Sequence, residues 1–357
     1  MKPTKTAALV VTYNAPEKIL KTLIKSIKEQ KEIKKILIVD NNSTKTKGLN
    51  YVEGQKIEII KMKKNKGFSA AVNAGMKILS KMDYVLILNF DIILKKDSVR
   101  KMLSVFDSQS NIAAIAPKMY LYDHPGYFDS VGTVVHPGLI AANRGIGQPD
   151  IGQFDKSEPI FGSCFGCTLM STRAFKNVGA LWEDFFLYYE DVDWCWRARL
   201  KGWIFMTAPS AKIIHHHSFL LKNEPSIFKY HYIQSNLLLS IVRLLEPMKA
   251  FKELGKRTKQ LINRARLEKG MRKATFYLFA RFLKLLVPAL ISRFKIQKTR
   301  TVKDSVLFGF SEGHSSCFSD TEYKPLENNL PKTLALYQKW TLTFLEKDKR
   351  RANESSR

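Results

Sequence analysis

Five short polar clusters in this sequence carry side chains that could bind a ligand or do chemistry. Four of them end or closely follow apolar stretches, and the fifth opens a helical pattern. In chain order they are Thr12-Tyr13-Asn14, Asp40-Asn41-Asn42-Ser43, Asn65-Lys66-Gly67-Phe68, Asn89-Phe90-Asp91 and Glu190-Asp191-Val192-Asp193. Because strand ends of an open α/β sheet meet in one crevice, we expect the five clusters to surround a single binding pocket.

Two aspartates at predicted strand ends suit different ligands. Asp91 directly follows a buried strand, and its carboxylate oxygens are the ligands that hard cations such as Mg²⁺ or Mn²⁺ prefer. The alternative is that Asp91 only caps a turn before Ile92. Asp40 ends another strand and can accept a hydrogen bond from the N–H of a base. Its neighbours Asn41 and Ser43 could simply form an Asx-type turn.

Three acids at the start of one predicted helix compete for the role of general base. Asp193 stands four residues before Arg197 on the same helix face, so an ordinary ion pair explains it. Glu190 is either a cap or a ligand-binding group, and the residues alone leave the choice of a base open. The alternative for all three is that acids complement the helix dipole.

Three consecutive histidines, His215, His216 and His217, follow an apolar run. A neutral imidazole there could complete the coordination of a metal ion. Neighbours in an extended segment point to opposite sides, so His215 and His217 share one face and His216 takes the other. We favour His215 as the ligand.

Two other signals have ordinary explanations. Cys164 and Cys167 have the spacing of a redox or zinc motif, but no second ligand pair accompanies them, and we interpret them as small residues of an apolar strand. Trp182 lies near Phe185 and Phe186 and could stack on the face of a sugar ring.

The elements that must position these clusters alternate between strands and helices. Apolar runs predict strands at 7–12, 35–40, 57–60, 84–88, 112–116 and 161–170, and helical spacing predicts helices at 19–27, 68–79, 97–106 and 191–200. Residues 118–160 are rich in glycine and proline and are interpreted as hairpins and loops. This order predicts an α/β fold, a doubly wound and mostly parallel sheet.

The order of motifs VVTYN, IVDNNST, NKGFSAAVNAG, LILNFD, FGSCFGCTLM and FFLYYEDVDWCWR resembles glycosyltransferase family 2, and most closely its bacterial rhamnosyltransferase and galactofuranosyltransferase-like branch. The likeness covers roughly residues 6–240. It implies a GT-A fold, a divalent cation, and transfer of a sugar from a nucleoside diphosphate with inversion at the anomeric carbon.

The resemblance also implies roles for individual residues. Asn89 and Asp91 occupy the position of the family's DXD-like motif, with Asn in place of the first Asp, and Asp191 matches the position of the base. Asp91 and His215 would hold Mg²⁺ or Mn²⁺, and Trp182 and Glu190 would contact the acceptor. The nucleotide and donor sugar would be bound by Thr12, Tyr13, Asn14, Asp40, Asn42, Ser43, Asn65, Gly67, Asn73 and Asn89.

The expected donor is dTDP-rhamnose, with a UDP-sugar (galactofuranose or another hexose) as the alternative. The expected acceptor is a hydroxyl of a bacterial cell-surface polysaccharide precursor, a glycan or lipid-linked glycan. The substituted metal motif keeps open an inactive glycan-binding relative.

The formal net charge of +27 is concentrated in one part of the chain. The stretch 243–303 holds eighteen Lys or Arg and three acids, a net charge of +15, which indicates a polyanionic partner. We divide the chain into a catalytic domain (1–240), a basic helical region (241–345) and a disordered tail (346–357).

Within the basic region, an apolar helix at 274–291 is interrupted by Arg281, Lys284 and Pro288. Together with Lys273 and Tyr277 these residues form one stripe, which favours a helix lying on an anionic membrane over one that spans it. Packing on the catalytic domain or in a homodimer is the alternative. A nucleic-acid partner is not expected, because no recognition module is present.

The cellular location is expected to be the cytoplasm, at the inner face of the cell membrane. Four cysteines are too few for a disulfide framework, and the apolar run at 7–12 is too short for a signal peptide.

Overall fold

The computed structural model describes residues 4–53, 57–136, 138–216, 226–268 and 270–307. The predicted tail at 346–357 and the stretch 308–345 of the basic region lie outside the described residues. The strands are β1 (Thr6–Thr12), β2 (Ile33–Asp40), β3 (Glu58–Lys61), β4 (Tyr84–Asn89), β5 (Ile92–Leu94), β6 (Ile112–Leu121), β7 (Phe128–Ser130), β8 (Thr133–His136), β9 (Ile140–Asn143), β10 (Pro159–Ile160), β11 (Cys167–Ser171) and β12 (Ile204–His215).

Nine α-helices accompany these strands among the described residues. They are α1 (Glu17–Lys28), α2 (Lys47–Glu53), α3 (Gly67–Ile78), α4 (Ser98–Phe106), α5 (Thr172–Val178), α6 (Glu190–Leu200), α7 (Ser226–Leu244), α8 (Pro247–Leu267) and α9 (Met271–Lys298).

The main sheet has the strand order β10-β12-β6-β11-β4-β1-β2-β3, with β5 paired to β12 and β7 paired to β6. The pairs β1–β2, β1–β4 and β2–β3 are parallel, as predicted. In contrast, β11 runs antiparallel to both β4 and β6. The sheet is therefore mixed. After β6 the chain stays for about fifty residues near the end of the sheet where the parallel strands end. Strand β11 starts from that end.

Strand β1 shows why the sheet is covered on both faces. Its alternate residues enter two different apolar clusters, Leu9 and Val11 on one side and Ala8 and Val10 on the other. Two-sided burial explains the continuous apolar run of this strand. On one face lies α1, whose buried residues Leu20, Leu23, Ile24 and Ile27 follow the predicted helical spacing.

The predicted strand at 161–170 is shorter in the structure, since β11 begins only at Cys167 and the residues before it form a loop. Sequence patterns missed β12, the long strand that ends in the first of the three histidines. It runs parallel to β6 and antiparallel to β5. This pairing brings the histidine to the loop after β4, and it builds one half of the site.

Helices α7, α8 and α9 pack together beside the sheet and against α6. Asp193 on α6 accepts hydrogen bonds from Arg197 of the same helix (Nε–Oδ2, 2.8 Å) and from Arg243 of α7. The ion pair predicted between Asp193 and Arg197 is confirmed. All three groups are buried, so loss of one partner would leave an uncompensated charge, at a cost of about 3–5 kcal/mol.

Candidate active site

The loops after β1 and β2 are joined at the carboxyl end of the sheet. Asp40 is the last residue of β2 and lies opposite Thr12, the last residue of β1. Ser43 donates its backbone N–H to Asp40 Oδ2 (3.1 Å) and its hydroxyl to Oδ1 (2.5 Å). Asn14 in turn donates its N–H to the Ser43 hydroxyl (2.7 Å). These bonds are the turn that the sequence allowed as an alternative, and they hold Asp40 at the rim.

Other members of the predicted nucleotide set surround Asp40. The Asn14 amide oxygen accepts N–H bonds from residues 44 and 45 (2.8 and 2.9 Å), and Asn14 has a positive φ of 50°. Asn42 is exposed, with φ 63°. The hydroxyl of Thr12 is buried without a hydrogen bond to any described residue. Tyr13 is half-buried. A carboxylate has about four acceptor positions, so Asp40 retains capacity for a further donor.

The loop before α3 packs closely against the backbone at Phe186. Gly67 has φ +84°, and a Cβ built there would lie 2.1 Å from the carbonyl oxygen of Phe186. The close approach that requires glycine is therefore made by the backbone at Phe186, whose carbonyl also accepts the Phe68 N–H (2.8 Å). Asn65 supports this turn by accepting the Gly67 N–H (3.0 Å). Contacts of Asn65 and Gly67 with a donor stay predictions.

Asn73 on α3 holds another loop. Its Nδ2 donates to the Leu181 carbonyl (2.9 Å) and to Glu183 (3.0 Å), and its Oδ1 accepts the Leu181 N–H (2.9 Å). Both ends of the amide group therefore have partners within the protein, and a contact of Asn73 with the donor stays a prediction.

A carboxylate and an imidazole meet where β4 and β12 end. Strand pairing puts Ile92 of β5 opposite His215, so Asp91 lies beside this histidine, with 3.3 Å between Asp91 Oδ1 and His215 Nε2. On the other side, His215 Nδ1 lies 2.6 Å from Oδ2 of Asp129, a fully buried residue of β7. Asn89 is the last residue of β4 and partly exposed beside them.

This arrangement decides between the interpretations of Asp91 and of the histidines. Asp91 Oδ1 is buried and accepts no hydrogen bond from the part of the chain that the structure describes, so the carboxylate does not cap a turn. The next residue, His216, points away and stacks on Tyr122 with 3.6 Å between ring centroids. His217 lies outside the described residues.

Asp129 was not found by sequence reasoning. It lies in the stretch 118–160 that we interpreted as loops, and only the apolar residues around it, Phe128 and Val131, indicate that it is buried. An acid on the far nitrogen of a metal-binding imidazole fixes its tautomer and orientation. Burial disfavours the charged imidazolium, but the negative charges of Asp91 and Asp129 outweigh it and raise the pKa of His215 to about 10.

The residues around Asp91 fit a divalent cation. Without a cation, protonated His215 pairs with Asp91 at 3.3 Å. A cation that displaced the Nε2 proton would find a carboxylate oxygen and an oriented ring nitrogen, and this pair of ligands favours Mn²⁺ over Mg²⁺, which prefers oxygen alone. Within the described residues no group of three His, Cys, Asp or Glu side chains has metal-binding spacing. Oxygens of a diphosphate and water would have to supply the other ligands.

A second pair of acids opens α6. Glu190 is buried, and its Oε2 makes no hydrogen bond with the described residues. Asp191 accepts the N–H of Val192 (2.8 Å). Burial raises the pKa of both carboxyls, and the charge of Asp191 raises that of Glu190 further. Backbone N–H groups, including that of Phe165, favour the anion of Asp191. Glu190 therefore holds a proton more readily, and Asp191 is the one that ionises.

One short loop, residues 164–166, connects the Asp91–His215 pair with the Glu190–Asp191 pair. A Cβ built at Gly166 would lie 3.7 Å from both the Asn89 amide and the ring of His215. One residue earlier, the backbone of Phe165 stabilises Asp191. Loss of hydration raises the pKa of the half-buried Cys164 thiol most, and the charges of Asp191, Asp129 and Glu190 raise it further. The segment 164–166 therefore lies between Asp91 with His215 on one side and Glu190 with Asp191 on the other.

The loop 182–189, which leads into α6, is held from the C-terminal helices. Asn236 of α7 donates to the carbonyls of Phe185, Leu187 and Tyr188 (3.1, 2.9 and 2.7 Å). Arg281 of α9 donates to the Asn236 amide oxygen (2.6 Å) and to the carbonyls of residues 184 and 185 (2.5 and 3.1 Å). Sequence reasoning missed Asn236, and it placed Arg281 on a stripe expected to face a membrane.

The loop 182–189 itself carries backbone strain. Phe186, Tyr188 and Tyr189 have φ values of 64°, 68° and 70°, which non-glycine residues adopt only when their surroundings impose it. Trp182, the predicted acceptor platform, lies edge-on to Phe185 (4.8 Å between centroids), and the guanidinium of Arg243 covers it at 4.0 Å. A contact between the acceptor and the uncovered part of the Trp182 ring stays a prediction.

Comparison with known protein families identifies the first part of the chain. A model described as glycosyl transferase family 2 matches residues 7–179. These residues form a glycosyltransferase family 2 domain. Two similar proteins are named as rhamnosyltransferases of this kind. The predicted likeness of the family 2 domain to the rhamnosyltransferase branch is therefore confirmed.

The first of these relatives is the dTDP-rhamnosyl transferase RfbF of Shigella flexneri, 26% identical over 212 residues, which are 58% of this chain and 68% of that protein. The second is the N-acetylglucosaminyl-diphospho-decaprenol L-rhamnosyltransferase of Mycobacterium tuberculosis, 24% identical over 212 residues, 54% of this chain and 69% of that protein. The relatives thus match about half of this chain and two thirds of their own length.

Solved structures share the GT-A fold of the family 2 domain. GalNAc-T7, crystallised with UDP, GalNAc and Mn²⁺, superposes with a TM-score of 0.57 at 11% identity, over 78% of this chain and 54% of that one. Residues 1–349 of S. aureus TarS superpose with a TM-score of 0.51 at 17% identity, over 85% and 92%. The predicted fold class is confirmed, and the protein is a glycosyltransferase.

Proposed function

We propose that this glycosyltransferase moves a sugar from a nucleoside diphosphate to an acceptor hydroxyl, in one displacement that inverts the anomeric carbon and depends on a divalent cation. The observation that carries the proposal is the pairing across residues 164–166. Asp91 and His215 lie at one end of this loop, and Glu190 and Asp191 lie at the other. Such a reaction needs a cation beside the leaving group and a base on the opposite side of the sugar.

In this proposal the cation end holds the diphosphate. Asp91 and His215 would bind Mg²⁺ or Mn²⁺, and the bound ion would neutralise the charge that develops on the leaving diphosphate. Asp129 keeps Nε2 of His215 directed at Asp91. Asn89, at the end of the neighbouring strand, is within reach of the ribose or of water on the ion.

The base end accepts the proton of the acceptor. Asp191 takes the proton from the attacking hydroxyl while the acceptor oxygen bonds to the anomeric carbon and the bond to the diphosphate breaks. The pair of electrons leaves with the nucleoside diphosphate. A raised pKa makes Asp191 a stronger base than an exposed aspartate. Glu190, which keeps its proton, can donate a hydrogen bond to the acceptor.

The donor end is at β1 and β2. Asp40 lies two strands from Asn89, with β1 between them, a separation of roughly 10 Å at ordinary strand spacing. A nucleotide that bonds its base N–H to Asp40 could extend its diphosphate along this edge towards Asp91. We propose dTDP-rhamnose as the donor, since two relatives are named as rhamnosyltransferases. A UDP-sugar is the second candidate, because TarS was crystallised with UDP-GlcNAc.

The acceptor in this proposal is a lipid-linked glycan of the cell surface. The name of the mycobacterial relative specifies a decaprenol-linked N-acetylglucosamine. An enzyme with such a substrate would work in the cytoplasm, at the inner face of the membrane.

A donor screen followed by turnover tests the proposal. Purified full-length protein is mixed with dTDP-rhamnose, UDP-galactofuranose or UDP-GlcNAc and with Mn²⁺, and release of the nucleoside diphosphate is measured by chromatography with and without EDTA. We expect release from dTDP-rhamnose that EDTA abolishes and that fresh Mn²⁺ restores. Turnover in EDTA would contradict the cation requirement, and binding of a sugar without turnover of any donor would indicate an inactive glycan-binding relative.

A further inference from the structure

The outward face of α9 is apolar along most of its length. Six large apolar side chains are exposed there, by 41% to 78% of their surface: Phe276, Leu283, Val287, Leu290, Ile291 and Phe294. Their spacing of three, four and seven residues puts them on one side of the helix. From Phe276 to Phe294 the strip is about 27 Å long. Exposed apolar surface of this extent marks a place where another phase or molecule binds.

The inward face of α9 is bound to the rest of the protein. Leu278, Phe282 and Ala289 are buried there. Arg281 holds the loop 182–189, and Arg293 donates to a backbone carbonyl near the end of α7 (2.5 Å). By length and composition α9 is the one helix in the described ranges that could cross a membrane. Spanning would break these hydrogen bonds in a medium that offers no replacement, so a helix lying flat is favoured.

Positive charges line one flank of the apolar strip. Lys273, Lys284 and Lys295 are exposed and recur every eleven residues, which is close to three helical turns and keeps them in one row. Helix α9 has seven basic residues and no acidic residue, and α8 has seven basic residues and one acid. The stripe noticed in the sequence is therefore split. Arg281 faces the loop 182–189, and Lys273 and Lys284 of that stripe face outwards with Lys295.

We propose that the outward face of α9 binds the surface of an anionic bilayer, with the helix in the membrane plane and its apolar strip in the acyl boundary. The row of lysines would then contact lipid phosphates. A second copy of this chain fits less well, because a two-fold interface would bring two identical rows of lysines together. A nucleic acid would leave the apolar strip exposed to water. This proposal does not depend on the identity of the sugar or on the transfer chemistry.

Vesicle co-sedimentation of the full-length protein tests the proposal. The vesicles contain phosphatidylcholine, with or without phosphatidylglycerol. We expect binding to the anionic vesicles that falls with salt. The triple variant Leu283→Glu, Val287→Glu, Phe294→Glu should lose binding by about tenfold or more, because three carboxylates cannot enter the acyl boundary. The triple variant Lys273→Gln, Lys284→Gln, Lys295→Gln should lose roughly 100-fold on anionic vesicles, about fivefold per charge removed.

The control is Ile78→Glu, a variant of an exposed isoleucine on α3 in the family 2 domain, which should bind as the wild type does. Circular dichroism and thermal unfolding check that each variant is folded. Three results would overturn the proposal: no binding of the wild type to anionic vesicles, full binding of the glutamate variant, or protein that alkaline carbonate cannot extract from cell membranes. A wild-type dimer that the glutamate variant dissociates would assign the same face to a second copy instead.

Discussion

The edge of the sheet and the layer of helices α7–α9 position polar groups in opposite ways. At the sheet edge, strand pairing alone puts Asp40 beside Thr12 and Asp91 beside His215, and the apolar residues point into the cores on either face. In α9, Arg281 points into the protein while Phe276 and Leu283 point out. The comparison teaches that the ligand-binding end is built by backbone geometry, whereas the base end depends on long side chains reaching from a separate layer.

The two regions meet at the loop 182–189. Asn73 of α3 holds its start, and Asn236 and Arg281 hold its middle. The strained backbone at Phe186, Tyr188 and Tyr189 persists because it is bound from both sides. We therefore expect substitutions at the sheet edge and substitutions in the helices to have separable effects on ligand binding and on turnover.

The largest effect is expected from Asp191→Asn. An amide cannot accept the proton of the acceptor, so the transfer rate should fall by about 10³-fold, within the range for removal of a general base. Thermal stability and nucleotide binding should not change. The matched control is Asp193→Asn, two residues on, which breaks the buried contacts with Arg197 and Arg243 and should lower stability instead. Steady-state kinetics and calorimetry measure both, and an active Asp191→Asn enzyme would contradict our assignment of the base.

The next effect concerns Asp129→Asn at the sheet edge. Without this carboxylate the orientation of His215 is no longer fixed, and the affinity for Mn²⁺ should fall by about 10- to 100-fold. Titration calorimetry of the protein with Mn²⁺ and dTDP measures this directly, with Asp155→Asn as a control at an exposed carboxylate. Equal affinities for Mn²⁺ in the wild type and in Asp129→Asn would show that Asp129 does not orient His215 for the cation.

A smaller effect is expected from Arg281→Ala on α9. The loop 182–189 would lose two of its carbonyl contacts, and misplacement of Asp191 should lower kcat by roughly tenfold. Because the sheet edge is untouched, the affinity for Mn²⁺ and nucleotide should stay as in the wild type. Arg293→Ala on the same helix, which contacts only the end of α7 in this way, serves as the control. A parallel loss of nucleotide affinity in Arg281→Ala would show that the two regions are not separable.

The smallest effect is a shift in pH dependence. Burial raises the pKa of Asp191 above its ordinary value near 4. The base must be ionised to act, so kcat/KM should be low in acid and rise as the pH increases through this raised value. The midpoint of the acidic limb should therefore lie clearly above pH 4, with circular dichroism confirming that the protein stays folded. A rate that is flat down to pH 4 would be incompatible with a buried carboxylate base.

Much of the fold could be predicted because buried parallel strands are locally obvious. Runs such as 7–12 and 35–40 end in polar loops at the positions where the structure ends β1 and β2. The direction of β11 could not be predicted, since no local sequence pattern indicates from which end of the sheet the chain enters a strand. The strand β12 was also missed, because its alternation is broken by Pro209 and Ser210.

The candidate site divides in the same way. Asp40, Asp91 and Asp191 were identified because each ends a strand or opens a helix. Asp129, Asn236 and Arg281 were not, because they act through partners 48 to 97 residues away in the chain. Gly67 and Asn73 were predicted to contact the donor, and what the structure shows is that the loops around Phe186 and Leu181 pack against them.

In the proposed mechanism, one pocket has a cation end at Asp91 and a separate base end at Asp191. Calorimetric titration of Mn²⁺ into the wild type, Asp91→Asn and Asp191→Asn, each saturated with dTDP, tests it most directly. We predict that Asp191→Asn binds Mn²⁺ as the wild type does and that Asp91→Asn loses at least about tenfold in affinity. Unchanged binding by Asp91→Asn, or an equal loss in both variants, would contradict the claim.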